Sequence, residues 1–112
     1  MSYFPEDYLG HILLETSFIL DASKDIDKET FLQNPVLTRA IIRSLEIIGE
    51  ATKRLSNDFR TKYPQISWKE MAGMRDILIH EYFGVDYNLV WDVIMDDIPT
   101  LEKEIQAILK EL

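Results

Sequence analysis

Cysteine is absent from the 112-residue chain, which excludes a disulfide framework and a thiolate metal site. Glycine and proline are scarce, four of each, so a few long elements are expected in place of many short ones joined by tight turns. No stretch approaches the roughly 20 apolar residues of a membrane span. The opening Met1-Ser2-Tyr3-Phe4-Pro5-Glu6-Asp7 has neither the basic start nor the apolar run of a secretory signal. A soluble cytoplasmic protein without membrane contact is the expectation. Histidine is nearly absent too, with only two copies. His11 stands near Glu15 on the first expected helix, but no third ligand follows at a metal-binding spacing, so neither a metal nor a cofactor is expected.

Positive charge is in short supply: 12 basic residues face 20 acidic ones, a net charge of −8. Taken whole, that speaks against a nucleic-acid partner, since phosphate binding draws on Lys and Arg. The distribution alters the reading. Arg39, Arg43, Lys53, Arg54, Arg60, Lys62, Lys69 and Arg75 are opposed within their own segment by Glu46, Glu50, Asp58 and Glu70 alone, a local charge of +4 that leaves −12 elsewhere. A basic middle framed by acidic ends suits a short RNA segment held locally and disfavours unspecific binding to long nucleic acid.

What the chain does have is helical periodicity. Apolar residues recur at spacings of three and four almost throughout, and the strict alternation of a half-buried strand is missing. The length fits one domain, residues 1–112, with one core. The first helix is expected from about Pro5 to Ala22, followed by a polar connection in which Thr30 to Gln33 form at most a single turn. Asn34-Pro35 reads as N-cap and first helical residue of a second helix reaching about Ser56. Its apolar positions fill an arc of about 160°, opposite Arg39, Arg43, Glu46, Glu50 and Arg54. That breadth suggests both an internal core and a second, intermolecular surface. The exposed stripe is read either as helix-surface ion pairs such as Glu50–Arg54 or as the lining of a cleft.

Ser67 and Glu70 form a capping box for a third helix from Trp68 to Phe83, with Pro64 breaking the chain before it and Gly84 ending it. Asp86 caps a final apolar stripe running to Leu112, and Pro99 either kinks it or starts a fresh helix after Asp97. The expected fold is all-α, an antiparallel bundle of four to five helices. Asp96-Asp97 and the Glu102–Glu104 pair read as a solvated acidic face, and Trp68 and Trp91 as packing anchors.

The third helix carries the candidate chemistry. Within Gly73-Met74-Arg75-Asp76-Ile77-Leu78-Ile79-His80-Glu81-Tyr82, an arginine precedes a histidine by five residues and a tyrosine follows it by two. Histidine takes and gives a proton near neutrality, and the guanidinium fork suits phosphate oxygens. Together they suffice to cleave RNA without a metal, the base removing the ribose 2′-hydroxyl proton and the cation stabilising charge on phosphorus. On a straight helix Arg75 and His80 point about 140° apart, whereas Asp76 and His80 share a face. Asp76 is therefore placed to orient the imidazole, and two copies of the chain are one way to bring arginine and histidine together.

The run Arg75-Asp76-Ile77-Leu78-Ile79-His80-Glu81-Tyr82 resembles the R-x-x-x-x-H-x-Y signature of HepT-like proteins in the HEPN superfamily. Arg39 to Ala51, Ile66-Ser67-Trp68 and Gly84-Val85-Asp86 resemble that family as well, so the likeness spans nearly the whole chain. It implies a HEPN-like helical homodimer in which paired Arg75 and His80 line a shared cleft, acting as a metal-independent endoribonuclease toxin on RNA, with Arg39 and Arg43 as candidate RNA contacts. It also implies a toxin–antitoxin pairing with a minimal nucleotidyltransferase of the MntA kind, which silences the toxin by transferring AMP to Tyr82. The alternative class is a non-catalytic helical partner whose role is to be the AMP acceptor of that nucleotidyltransferase. A third is a scaffold bundle without chemistry.

Overall fold

The computed structural model describes residues 4–80 and 84–112, with the side chains of residues 4–74 and 84–112. Among the described residues seven α-helices follow in order: α1 (Pro5–Ser23), α2 (Lys28–Leu32), α3 (Pro35–Arg54), α4 (Asn57–Thr61), α5 (Trp68–His80), α6 (Tyr87–Asp92) and α7 (Ile98–Glu111). A π-helical turn, Val93–Asp97, joins α6 to α7. No strand occurs among the described residues. The fold is the all-α bundle expected: α1, α3, α5 and the α6–α7 run are its four staves, and α2 and α4 are short connectors.

Most helices begin on a polar residue that satisfies an orphan backbone N–H. Asn34 accepts from Leu37 N at 3.0 Å, with Pro35 at the first helical position of α3. Asp27 accepts from Thr30 N at 2.8 Å, Ser56 from Phe59 N at 3.1 Å, and Asp86 from Asn88 N and Leu89 N at 3.0 and 3.2 Å. Phe4, ahead of Pro5, offers no acceptor; instead its N–H donates to Asp7 Oδ2 at 2.9 Å. Between α1 and α2 the chain turns through Asp25, whose φ of 62° is a left-handed conformation that Asp tolerates better than most side chains.

One contiguous core runs along the bundle, built from Leu9, Ile12 and Ile19 of α1, Ile41, Leu45 and Ile48 of α3, and Ile94, Ile98, Ile105 and Ile108 from the last stave. The breadth of the apolar arc on α3 finds its use inside the chain, because α3 packs against α1 on one side and α5 on the other. The second surface inferred from that breadth is therefore not needed to explain it. Buried hydroxyls are satisfied locally, Thr52 donating to Ile48 O and Ser23 to Ile19 O, each at 2.7 Å.

Pro99 does not break the last stave. It lies in the first turn of α7, directly after the π turn. A proline in continuous α-helix leaves the carbonyl four residues back without its donor and clashes with it. Widening the preceding turn to π geometry relieves both, so a fresh α-helix starts directly after Asp97.

Candidate active site

Placement of α5 begins with a knot of side chains ahead of it. Trp68, 6% exposed, donates its Nε1–H to the carbonyls of Arg60 and Tyr63 at 3.1 and 2.9 Å. Its ring packs edge-on to Phe59, which also stacks at a tilt on Tyr63. Arg60 donates from Nε to Leu55 O at 3.1 Å and from Nη2 to Thr52 O at 2.8 Å. A cation thus closes the C-terminal carbonyls of α3, where the helix dipole is negative. Tyr63 carries a phenol held above its ordinary pKa, first by burial and then by the Glu111 carboxylate of α7. The end of α3, α4, the start of α5 and the tip of α7 are therefore fastened at one point.

From that point α5 runs along α3, with Met71 N donating to Ser67 O at 3.1 Å where Ser67 takes the expected N-cap position. Arg75, Asp76 and His80 all lie on α5, in its C-terminal half. At the rise of an α-helix, Arg75 stands about 10 Å along the axis from Trp68, and His80 about 7.5 Å farther. Their side chains lie outside the described residues, as do Tyr82 and the expected end of this helix between Glu81 and Phe83.

The candidate RNA contacts sit on the outer face of α3. Arg39 and Arg43 are both exposed, and Arg43 Nη1 is 3.3 Å from Glu46 Oε2. Arg54 and Glu50 pair likewise at 3.3 Å. The helix-surface ion pairs foreseen for this stripe are present, each stabilising by about 0.3–0.5 kcal/mol; an exposed pair still exchanges its carboxylate for a phosphate at little cost.

His11 is exposed and stands edge-on to the ring of Tyr8, centroids 6.4 Å apart. No group of acidic or histidine residues fit to hold a metal ion occurs among the described residues. No helix among them is long and apolar enough to cross a membrane. Asp96 and Asp97 are solvated as expected, but Glu104 departs from the acidic-face reading: its Oε2 is shut away from solvent without a hydrogen bond among the described residues. Nothing in the periodicity marks Glu104 apart from Glu102, which accepts from Ser17 of α1 at 3.3 Å.

Comparison with known proteins supplies what side-chain geometry at the end of α5 does not. Residues 12–108, spanning α1 through most of α7, match the family described as "Ribonuclease HepT-like". The chain belongs to the HepT-like ribonuclease family. A Caldanaerobacter subterraneus subsp. tengcongensis protein named "Putative RNase" is 54% identical over 107 residues, covering 96% of each chain. A Methanocaldococcus jannaschii protein of the same designation is 46% identical over 101 residues, 90% of this chain and 93% of the relative. The "Probable ribonuclease HepT" of Thermococcus cleftensis is 44% identical over 105 residues, 94% of this chain and 96% of the relative. No solved structure matches significantly. Membership of this HepT-like family agrees with the resemblance drawn from the Arg75–Tyr82 run, and the matched span covers α3, α4 and α5 in full.

Proposed function

We propose that this HepT-like chain is a metal-independent endoribonuclease, the toxin of a toxin–antitoxin pair, with Arg75 and His80 as catalytic residues and Asp76 as the positioning residue for His80. The observation that carries the proposal is the ordered Arg75, His80, Tyr82 motif of the sequence, with Arg75 and His80 in the C-terminal half of α5, in a chain of the HepT-like ribonuclease family. In this mechanism the neutral His80 imidazole takes the proton of a ribose 2′-hydroxyl. The resulting oxygen attacks the adjacent phosphorus, and the 5′-oxygen leaves with a proton supplied by an imidazolium. The products are a 2′,3′-cyclic phosphate and a 5′-hydroxyl. Arg75 stabilises the extra negative charge on the phosphorus centre as that bond forms.

The angular separation of Arg75 and His80 supports a homodimer as the working unit, one chain's arginine meeting its partner's histidine over the same phosphodiester. Arg39 and Arg43 hold flanking phosphates. Silencing follows by attack of the Tyr82 phenolate on the α-phosphorus of ATP, with pyrophosphate leaving, catalysed by a minimal nucleotidyltransferase of the MntA kind. The AMP so attached sets a phosphate and its bulk beside Arg75, competing with RNA for the same cation.

The test is cleavage of RNA by purified protein in excess chelator, with product ends identified. Cyclic phosphate ends, and their loss in His80→Ala and Arg75→Ala with the helical signal intact, are expected. Cleavage that requires added metal, or that persists in both variants, rejects the reading. Incubation with ATP and a minimal nucleotidyltransferase, read by mass spectrometry, is expected to add one AMP to Tyr82 and to abolish cleavage.

A further inference from the structure

The bundle is closed on three sides by the α1–α3, α3–α5 and α1–α7 contacts. On the fourth side, between the first half of α5 and the π turn with α7, a groove of about 370 Å³ opens onto α3. Its floor is apolar, formed by Leu45, Ile48, Ile66, Val93, Ile98 and Leu101, with the flexible side chains of Met71 and Met74 along one wall. Four carboxylates line it, Glu70 from α5 and Asp96, Asp97 and Glu104 opposite, and among the described residues no lysine or arginine joins them.

Two features set this groove apart from an ordinary acidic surface. Glu104 Oε2 has no solvent contact and no hydrogen bond among the described residues. Removing a carboxylate oxygen from water without a donor is unfavourable, and what it lacks is an N–H. Secondly, the carboxylates stand over an apolar floor walled by two methionines, which repack around whatever they meet. Negative potential over apolar surface repels an RNA phosphate and suits a segment with Lys or Arg among apolar side chains.

We infer that this groove docks a basic amphipathic segment of a partner protein, its apolar side chains on the floor and its cations on Glu104, Glu70 and the Asp96–Asp97 pair. The inference does not rest on the nuclease reading, because the described lining of this groove bears the opposite charge from the one RNA requires.

The test uses the full chain carrying ¹³C-methyl methionine and, as probe, a short amphipathic helical peptide of leucine and lysine, with its leucine–glutamate counterpart as control. Saturable binding of the lysine peptide is expected, with displacement of the Met71 and Met74 methyl signals. The triple variant Asp96→Asn, Asp97→Asn, Glu104→Gln should weaken binding by about tenfold or more. Glu70→Lys, at an exposed position, should weaken it as well. Equal binding of the glutamate peptide, unmoved Met71 and Met74 signals, or undiminished binding by variants that keep their helical content each overturns the proposal. If the Met71 and Met74 signals instead shift with protein concentration alone, a second copy of the chain is the occupant, which also overturns it.

Discussion

At the residue scale, the two ends of α5 are governed by different physics. Trp68 is a packing and hydrogen-bonding anchor, and Trp68→Phe leaves a small void and removes the indole donor shared by the Arg60 and Tyr63 carbonyls, each of which keeps one backbone N–H. A loss of about 1–3 kcal/mol in unfolding free energy, measured by urea titration, is expected, with a smaller effect on RNA cleavage. His80 and Arg75 should behave in the opposite way. Arg75→Lys keeps the charge but not the planar fork, so activity should fall by at least about tenfold with stability within about 0.5 kcal/mol of the parent chain. Denaturant curves paired with cleavage rates for both substitutions separate anchor from catalyst. Trp68 was legible from its position before the motif, but its two carbonyl partners were not, because they depend on how α4 folds back. The sequence-based reading passed over α4 altogether, since five residues give no periodicity to detect.

At the element scale, caps decide where helices begin, and each is a local chemical event that titration or substitution can address. Asn34→Ala removes the acceptor for Leu37 N at the head of the helix on which α1 and α5 both pack. A destabilisation of about 1 kcal/mol in thermal or chemical unfolding is expected. The Asp27 carboxyl lies below its ordinary value of 3.8, chiefly through hydrogen bonds from the Thr30 side chain and backbone. Because the folded value is the lower one, its contribution is fully present above the unfolded value and disappears as pH falls through the folded value. Amide exchange at Thr30 should therefore lose protection at pH values below the ordinary carboxylate range, ahead of amides in α3. Asn34-Pro35, Ser67 and Asp86 could each be recognised as helix starts in the sequence alone, because capping needs only a short polar side chain at one position. The π turn before Pro99 could not. Proline announces a disturbance, but whether the chain kinks, stops or widens by a residue depends on the core that Ile94 and Ile98 must both reach.

At the scale of the whole molecule, the proposed mechanism makes function depend on association. If the dimer is the catalytic unit, specific activity should fall as the protein is diluted through the dissociation constant, and mixing inactive Arg75→Ala with inactive His80→Ala chains should restore part of it. Recovery through heterodimers, read by cleavage of a labelled RNA, is the expected result; no recovery at any ratio counts against a shared site. The net charge of −8 adds a second expectation: RNA binding should be local and modest, weakening as salt rises with the slope of only a few phosphate contacts.

The helical class, the cap positions, the basic middle and the Arg75, His80, Tyr82 spacing were all determined by the sequence, because each depends on neighbours within a turn or two. Tertiary structure alone decided that the wide apolar arc of α3 is shared between α1 and α5, that Arg60 caps α3 while Trp68 anchors α5, and that Glu104 faces an open groove. Those outcomes rest on which distant surfaces meet, and a helical repeat shows that a face is apolar without showing what covers it.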